Sequence, residues 1–256
     1  MQELELNGMQ LGRGRPWIIA PVTGCDRISI VNKATELARS PYVEIIEWRA
    51  DCLDASVSDS CMREIAGEIK DLLGNKPLVF SLRTAIEGGK CELSDDEYAR
   101  LAVSVASDGY ADFVDLEVLS HTGMESCIRD IHELGGKVIG GRHYPDGTPP
   151  RTEILADFLR IQQSGADISK VVAMPVSGED VMNLMIATNE MRVKYAERPV
   201  IGISMGKLGM ISRLTCEFFG SSMTFGTVGD VSGEGQIPVE QLNAVLNIVH
   251  STYGKE

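Results

Sequence analysis

In Val43-Glu44-Ile45-Ile46-Glu47-Trp48-Arg49, every second residue passes from apolar to charged: Val43 and Ile45, then Glu47 and Arg49. Side chains of a strand alternate between its two faces, so these four share one face and the charges gather at its carboxyl end. The same count places Val79, Ser81 and Arg83 together, then Phe113, Asp115 and Glu117, then Ile139, Gly141 and His143. Any one such end is read most simply as a surface charge or a structural ion pair. Charged or polar ends on four successive strands, each on a face shared with apolar residues, favour a convergent site instead, as at the carboxyl mouth of a barrel.

Outward from these four, the chain alternates short β-rich runs with longer helical patterns. The strands are expected at Trp17 to Val22, Val43 to Arg49, Leu78 to Arg83, Phe113 to Glu117, Lys137 to His143, Lys170 to Met174, Val200 to Met205 and Met223 to Gly226. Between them, Ile28 to Ala38, Ser94 to Ser107, Arg151 to Gln163 and Asp180 to Lys194 repeat apolar residues at intervals of three and four. Ser94 with Glu97 has the spacing of a capping box. Eight strands each followed by a helix, in 256 residues, predict one α/β domain over residues 1–256, a parallel (β/α)8 barrel. A doubly wound sheet is the second choice, since Val22-Thr23-Gly24-Cys25 stands where its glycine-rich nucleotide turn belongs. Leu4, Leu6, Met9 and Leu11 around Asn7-Gly8 predict a hairpin that closes the lower mouth.

Composition narrows the partners. With 24 Lys plus Arg against 37 Asp plus Glu, a net charge of -13 makes nucleic acid an unsuitable partner, and an anionic substrate needs a local basic pocket. The six cysteines form no C-x-x-C pair and no zinc spacing with the four histidines, which predicts free thiols and no metal. Met1-Gln2-Glu3-Leu4-Glu5-Leu6 lacks a signal peptide's cationic start and apolar core, and no apolar run reaches a membrane span of ~18 residues, so a soluble cytoplasmic protein is expected.

Ser169-Lys170-Val171-Val172-Ala173-Met174-Pro175 opens with an amine at the head of an apolar run. From position alone Lys170 belongs as readily to the solvated bottom of the barrel, but its long stem can climb the axis toward His143 and the arginines. Desolvation by Val172, Met174 and Met205, and repulsion from Arg83 and Arg213, are expected to favour its neutral, nucleophilic form. His143, before the turn Tyr144-Pro145-Asp146-Gly147, can take and return a proton. After the last strand, Gly226 to Gln236 holds four glycines and reads as a lid or a plain connection. A class I aldolase with phosphate at Gly206 to Gly209 and Gly226 to Gly229 is the alternative enzyme; a metal-dependent barrel and a non-catalytic acid-binding relative rank below it.

Taken in order, Glu47-Trp48-Arg49-Ala50-Asp51, Arg83-Thr84-Ala85-Ile86-Glu87-Gly88-Gly89, Asp115-Leu116-Glu117, His143, Lys170 to Pro175, Met210-Ile211-Ser212-Arg213 and Ser232 to Gln236 resemble the motifs of the type I 3-dehydroquinate dehydratases. The resemblance spans nearly the whole chain. It implies a (β/α)8 barrel, commonly a homodimer, that dehydrates 3-dehydroquinate to 3-dehydroshikimate in the shikimate pathway without metal or organic cofactor. It also implies that Lys170 forms the Schiff base, that His143 is the general acid and base, and that Glu87, with Asp115, orients it. Arg213 would then hold the substrate carboxylate, Glu47, Arg49 and Arg83 the ring hydroxyls, and Ser232 and Gln236 would close over them. The chain departs from the family pattern twice: Tyr144-Pro145 follow the histidine in place of an acidic or amide residue and Phe, and Gly233-Glu234 replace the Ala-Pro of the lid.

Overall fold

The computed structural model describes residues 4–6, 8–12, 14–54, 58–229 and 235–253. Strands β1 (Leu4–Leu6) and β2 (Met9–Leu11) pair antiparallel, with Leu4 opposite Leu11. Eight further strands follow: β3 (Trp17–Val22), β4 (Ile45–Arg49), β5 (Leu78–Ser81), β6 (Phe113–Leu116), β7 (Lys137–Tyr144), β8 (Ile168–Ala173), β9 (Val200–Ser204) and β10 (Met223–Phe225). They form one parallel sheet in the order β10-β3-β4-β5-β6-β7-β8-β9. The remaining gap, between β9 and β10, is bridged by Ser222 N donating to Val200 O at 2.8 Å and by Gly202 N donating to Ser221 Oγ at 3.0 Å. The sheet is therefore a nearly closed barrel, and the doubly wound alternative is set aside.

Helices α1 (Arg27–Arg39), α2 (Asp59–Leu73), α3 (Asp95–Ser107), α4 (Met124–Glu133), α5 (Arg151–Gln163), α6 (Gly178–Glu190), α7 (Gly206–Leu214), α8 (Cys216–Phe219) and α9 (Val239–Tyr253) surround it. Their apolar stripes and the outward strand residues make one core, in which Ile46, Trp48, Phe80, Val114 and Val138 are almost wholly buried. Leu242 and Leu246 of α9 join it at 0% exposure, so that stripe faces the barrel. A second core fills the barrel axis: Ile19, Ile45, Val79, Phe113, Ile139, Ile168, Val172, Ile201 and Met223. Leu11 joins this axial core with Leu4 and Leu6 against it, which places the hairpin over the amino-terminal mouth, as expected.

The sequence places most elements within a residue or two of their observed bounds, with two differences of consequence. Strand β8 begins at Ile168, so Lys170 lies inside the strand between Ile168 and Val172 rather than at its solvated start. The helical run expected from Asp180 to Lys194 is α6 followed by a π-turn over Met191–Tyr195. All six cysteines are free thiols. Among the described residues no helix is long and apolar enough to cross a membrane.

Candidate active site

Above the axial core the strand ends surround a cavity of about 580 Å³. Glu47, Arg49, Arg83, Glu87, His143, Lys170, Arg213 and Gln236 all line it, and Ser232 lies outside the described residues. Register explains why charges separated by well over a hundred residues meet here. Glu47 lies beside Val79, Ser81 beside Asp115, Gly141 beside Lys170 and His143 beside Val172, so each inward residue sits one step round the barrel from the next.

Lys170 is 3% exposed, and its Nζ donates to Asp115 Oδ2 at 2.6 Å. Glu47 Oε1 lies 4.0 Å away and the Phe225 ring centroid 5.1 Å away. Asp115 therefore does not stand behind the histidine, as the resemblance implies, but between two cations, because Arg83 Nη2 donates to its Oδ1 at 2.7 Å. Burial alone would raise the Asp115 carboxyl; Lys170 and Arg83 outweigh it and hold the group down to about 2. The amine thus has a carboxylate, not an arginine, as its nearest charge, and Arg83 shares that carboxylate with it. Its apolar neighbours are as expected: Val172, Met174 and Met205 line the same cavity.

Glu87 reaches the site by a local device. Past β5 the chain makes a 3-10 turn over Ala85–Glu87 that ends at Gly88 with φ 84°, a left-handed conformation glycine adopts freely. At Gly89 the chain folds back so closely that a Cβ would stand 2.0 Å from Arg83 O. The Gly-Gly pair is what returns Glu87 to the barrel mouth. There Oε2 accepts from His143 N at 2.9 Å and meets His143 Nδ1 at 2.8 Å. That contact fixes the orientation of the imidazole at the barrel mouth.

Burial, then Arg83, Lys170, Arg49 and Arg142, hold His143 well below its ordinary pKa, so the resting imidazole is neutral. Burial pushes the Glu87 carboxyl up to about 7, against the pull of Arg83. At Gly141 a Cβ would lie 3.4 Å from Asp115 Oδ1 and 3.6 Å from His143 Cε1, so the lysine's partner and the imidazole face the same point of β7.

The arginines differ in what they have left to offer. Arg83 is 4% exposed and spends its fork on Glu87 at 3.2 Å, Glu117 at 3.2 Å and Asp115 at 2.7 Å. It is the hub of a buried carboxylate network more than a free ligand for hydroxyls. Arg49 is held bidentate by Asp51, at 2.7 and 2.8 Å. Arg213 is different. Its Nε has no hydrogen-bond partner among the described residues, and burial pulls the guanidinium down to about 10. A buried cation lacking a counter-charge is a place prepared for an anion. The alternative phosphate loops fit less well, since the amides of Gly209, Gly226 and Thr227 already donate to Met205 O, Ile19 O and Ile237 O.

Four residues here escaped the sequence reading of roles. Asp51 and Glu117 fall inside motifs quoted above, but nothing in their spacing shows that one steers Arg49 and the other binds Arg83 and Thr84. Ser120 and Arg142, which contact Glu87 Oε1, carry no sequence signal, because one lies in a turn and the other on the outward face of β7.

The profile of the family described as Type I 3-dehydroquinase matches residues 18–253. The chain is 35% identical over 252 residues to the 3-dehydroquinate dehydratase of Clostridioides difficile (strain 630), covering 98% of each. It is 37% identical over 254 residues to that of Syntrophotalea carbinolica, covering 98% of this chain and 99% of the relative. Among solved structures, the type I enzyme from Clostridium difficile with covalently modified comenic acid superposes with a TM-score of 0.93 at 35% identity, 98% of each chain being covered. The 3-dehydroquinate dehydratase of Geobacillus kaustophilus HTA426 gives 0.93 at 34% identity, covering 99% of this chain and 98% of the other. Full-length identity, a common fold and a matching family profile agree with the motifs read from the sequence, and the chain belongs to the type I 3-dehydroquinase family of hydro-lyases.

Proposed function

We propose that this chain dehydrates 3-dehydroquinate to 3-dehydroshikimate through an imine on Lys170, with His143 as the proton carrier. The observation that carries the reading is a 3%-exposed lysine amine projecting from mid-strand into the cavity that also holds a neutral imidazole. Arg213 takes the substrate carboxylate, and Arg49 and Glu47 meet the ring hydroxyls, with Gln236 at the rim. That seating directs the C3 ketone at Lys170.

The unprotonated amine attacks C3, the carbinolamine loses water, and a protonated imine results. Its positive charge acidifies the hydrogens on C2, and His143 Nε2 removes one, leaving an enamine. The enamine electrons then expel the C1 hydroxyl, which leaves as water with the proton His143 has just taken, a syn elimination on one face. Hydrolysis of the product imine frees 3-dehydroshikimate and restores the amine. Glu87 serves by keeping Nδ1–H of His143 occupied, which holds the tautomer in which Nε2 is basic. Asp115 accepts from the Lys170 amine at rest and stabilises the cationic imine once formed.

The exposed apolar residues Met182, Ile186, Leu208, Ile211 and Phe218 lie along α6, α7 and α8, and they support a homodimer as the working assembly. The function is tested by following 3-dehydroshikimate formation with the wild type and with Lys170→Met. The substitution removes the nucleophile at similar volume, and turnover is expected to fall by about 10⁴-fold or more. A variant that keeps wild-type turnover would refute the reading.

A further inference from the structure

We propose that Arg142 and Ser120 clamp Glu87 from behind, making both positioning residues for His143, with the Tyr144 ring as the platform that holds Arg142. The proposal rests on the reading of His143 and Glu87 as the acid–base pair. It also gives a purpose to one of the two places where the chain departs from its family's pattern.

The two oxygens of Glu87 have separate tasks. Oε2 serves the histidine, at 2.9 Å to His143 N and 2.8 Å to Nδ1, with Arg83 Nη1 at 3.2 Å. Oε1 is met by Ser120 Oγ at 2.6 Å and Arg142 Nη1 at 3.5 Å. Arg142 Nη1 also donates to Ser120 Oγ, so the three groups form one triangle. Glu87 itself is 3% exposed, and a buried carboxylate oxygen without donors either takes up a proton or rotates to find one. Both outcomes disturb the oxygen that orients the imidazole.

The support behind Arg142 can be followed to the outer helix α5. Its guanidinium lies 4.9 Å from the centroid of the Tyr144 ring, a cation–π contact. The Tyr144 hydroxyl donates to Asp157, wholly buried on α5, and lies 3.5 Å from Glu153 Oε1 on the same helix. Arg160 closes the chain by donating to Asp157. Strand β7 thus carries the proton carrier on its inner face and, one residue to either side, the arginine and the aromatic ring that brace its partner on the outer face. A phenylalanine at position 144 would supply the ring without the anchor to α5.

The charges around the pair come from every side. Arg83 faces it from the end of β5, Arg49 from β4, Lys170 from β8 and Asp115 from β6. Glu117 stands just past β6, and Arg142 stands behind. Burial pushes Glu87 up to about 7, with Arg83 the largest opposing influence and Ser120 and Arg142 among the others. Arg142 also adds to the cations that keep His143 neutral. Removing either clamp residue therefore lets the pair take up its proton at higher pH, and a proton on either member disables the base or the acceptor that orients it.

The test combines pH profiles of kcat/KM with ¹⁵N NMR of His143 in the resting enzyme, for Ser120→Ala, Arg142→Gln, Arg142→Lys and Tyr144→Phe. For Ser120→Ala and Arg142→Gln, the acidic limb is expected to move up by roughly half to one pH unit and kcat to fall about 3- to 30-fold with little change in KM. The Nδ1–H tautomer of His143 should lose population in both. Arg142→Lys should recover most of the limb, because the charge returns. Tyr144→Phe should show a smaller shift in the same direction.

A wild-type tautomer and limb in Ser120→Ala and Arg142→Gln would overturn the proposal, as would a change confined to KM. Should Arg142→Gln fail to fold, Ser120→Ala decides alone, since it deletes one hydroxyl. A tautomer that shifts while turnover stays intact would support the clamp and instead refute His143 as the proton carrier.

Discussion

At the scale of single residues, the site is a set of buried charges in which each has a counter-charge except where the ligand is to bind. Lys170 has Asp115, Arg83 has three carboxylates and Arg49 has Asp51, whereas Arg213 Nε is left without a partner among the described residues. That asymmetry supports the proposal that Arg213 takes the substrate carboxylate. Arg213→Gln is expected to cost about 2–4 kcal/mol, roughly a 30- to 1,000-fold loss in kcat/KM carried mainly by KM, because a desolvated charge pair is broken. Steady-state kinetics checks this, and an unchanged KM would place the carboxylate elsewhere. The sequence shows which strand ends carry charge, because alternation is local. It does not show that Lys170 is interior, since Ser169 interrupts the apolar run and hides Ile168 as the true start of β8. Nor does it show that Asp115 serves the lysine and not the histidine, which depends on how far two side chains reach across neighbouring strands.

At the scale of elements, helices and strands form because local signals and packing agree. Helix α3 begins as the sequence predicts: Ser94 Oγ accepts from Glu97 N at 3.4 Å and Glu97 Oε2 accepts from Ser94 N at 3.1 Å. Asp26 before α1 and Ser177 before α6 close similar boxes, with Ser29 and Asp180 as their partners. Ser94→Ala is expected to destabilise the fold by about 1 kcal/mol, read from the denaturant midpoint, because the N-cap acceptor is lost. A midpoint equal to wild type would show that the box adds nothing to a helix already held by packing. Short strands are legible despite their length, because they carry apolar residues on both faces and most are ended by a charge, a glycine or a proline. The π-turn after α6 was not, since Met191 continues the apolar spacing while Arg192, Val193 and Lys194 reveal nothing of a change in hydrogen bonding.

At the scale of the molecule, the barrel turns eight separate strand ends into one enclosed site, and its stability is tied to that site's charges. Asp115 is held at about 2 against an ordinary 3.8, so its contribution is complete above about pH 3.8 and is lost as pH falls toward 2. The shift corresponds to about 2 kcal/mol. The fall in stability between pH 4 and 2, measured by denaturation, should therefore be shallower in Asp115→Asn, and an identical slope would deny the coupling. The overall architecture was readable from periodicity and length, whereas the bridge between β9 and β10 was not, because it depends on Ser221 and Ser222, whose partners on β9 are distant in sequence.

Everything proposed for the chemistry converges on one nitrogen inside this barrel. The most direct measurement is mass spectrometry after borohydride reduction in the presence of 3-dehydroquinate, with the modified peptide sequenced. The account predicts a single reduced adduct on Lys170, absent in Lys170→Met. An enzyme that turns over substrate yet yields no adduct, or yields it on another lysine, would contradict it.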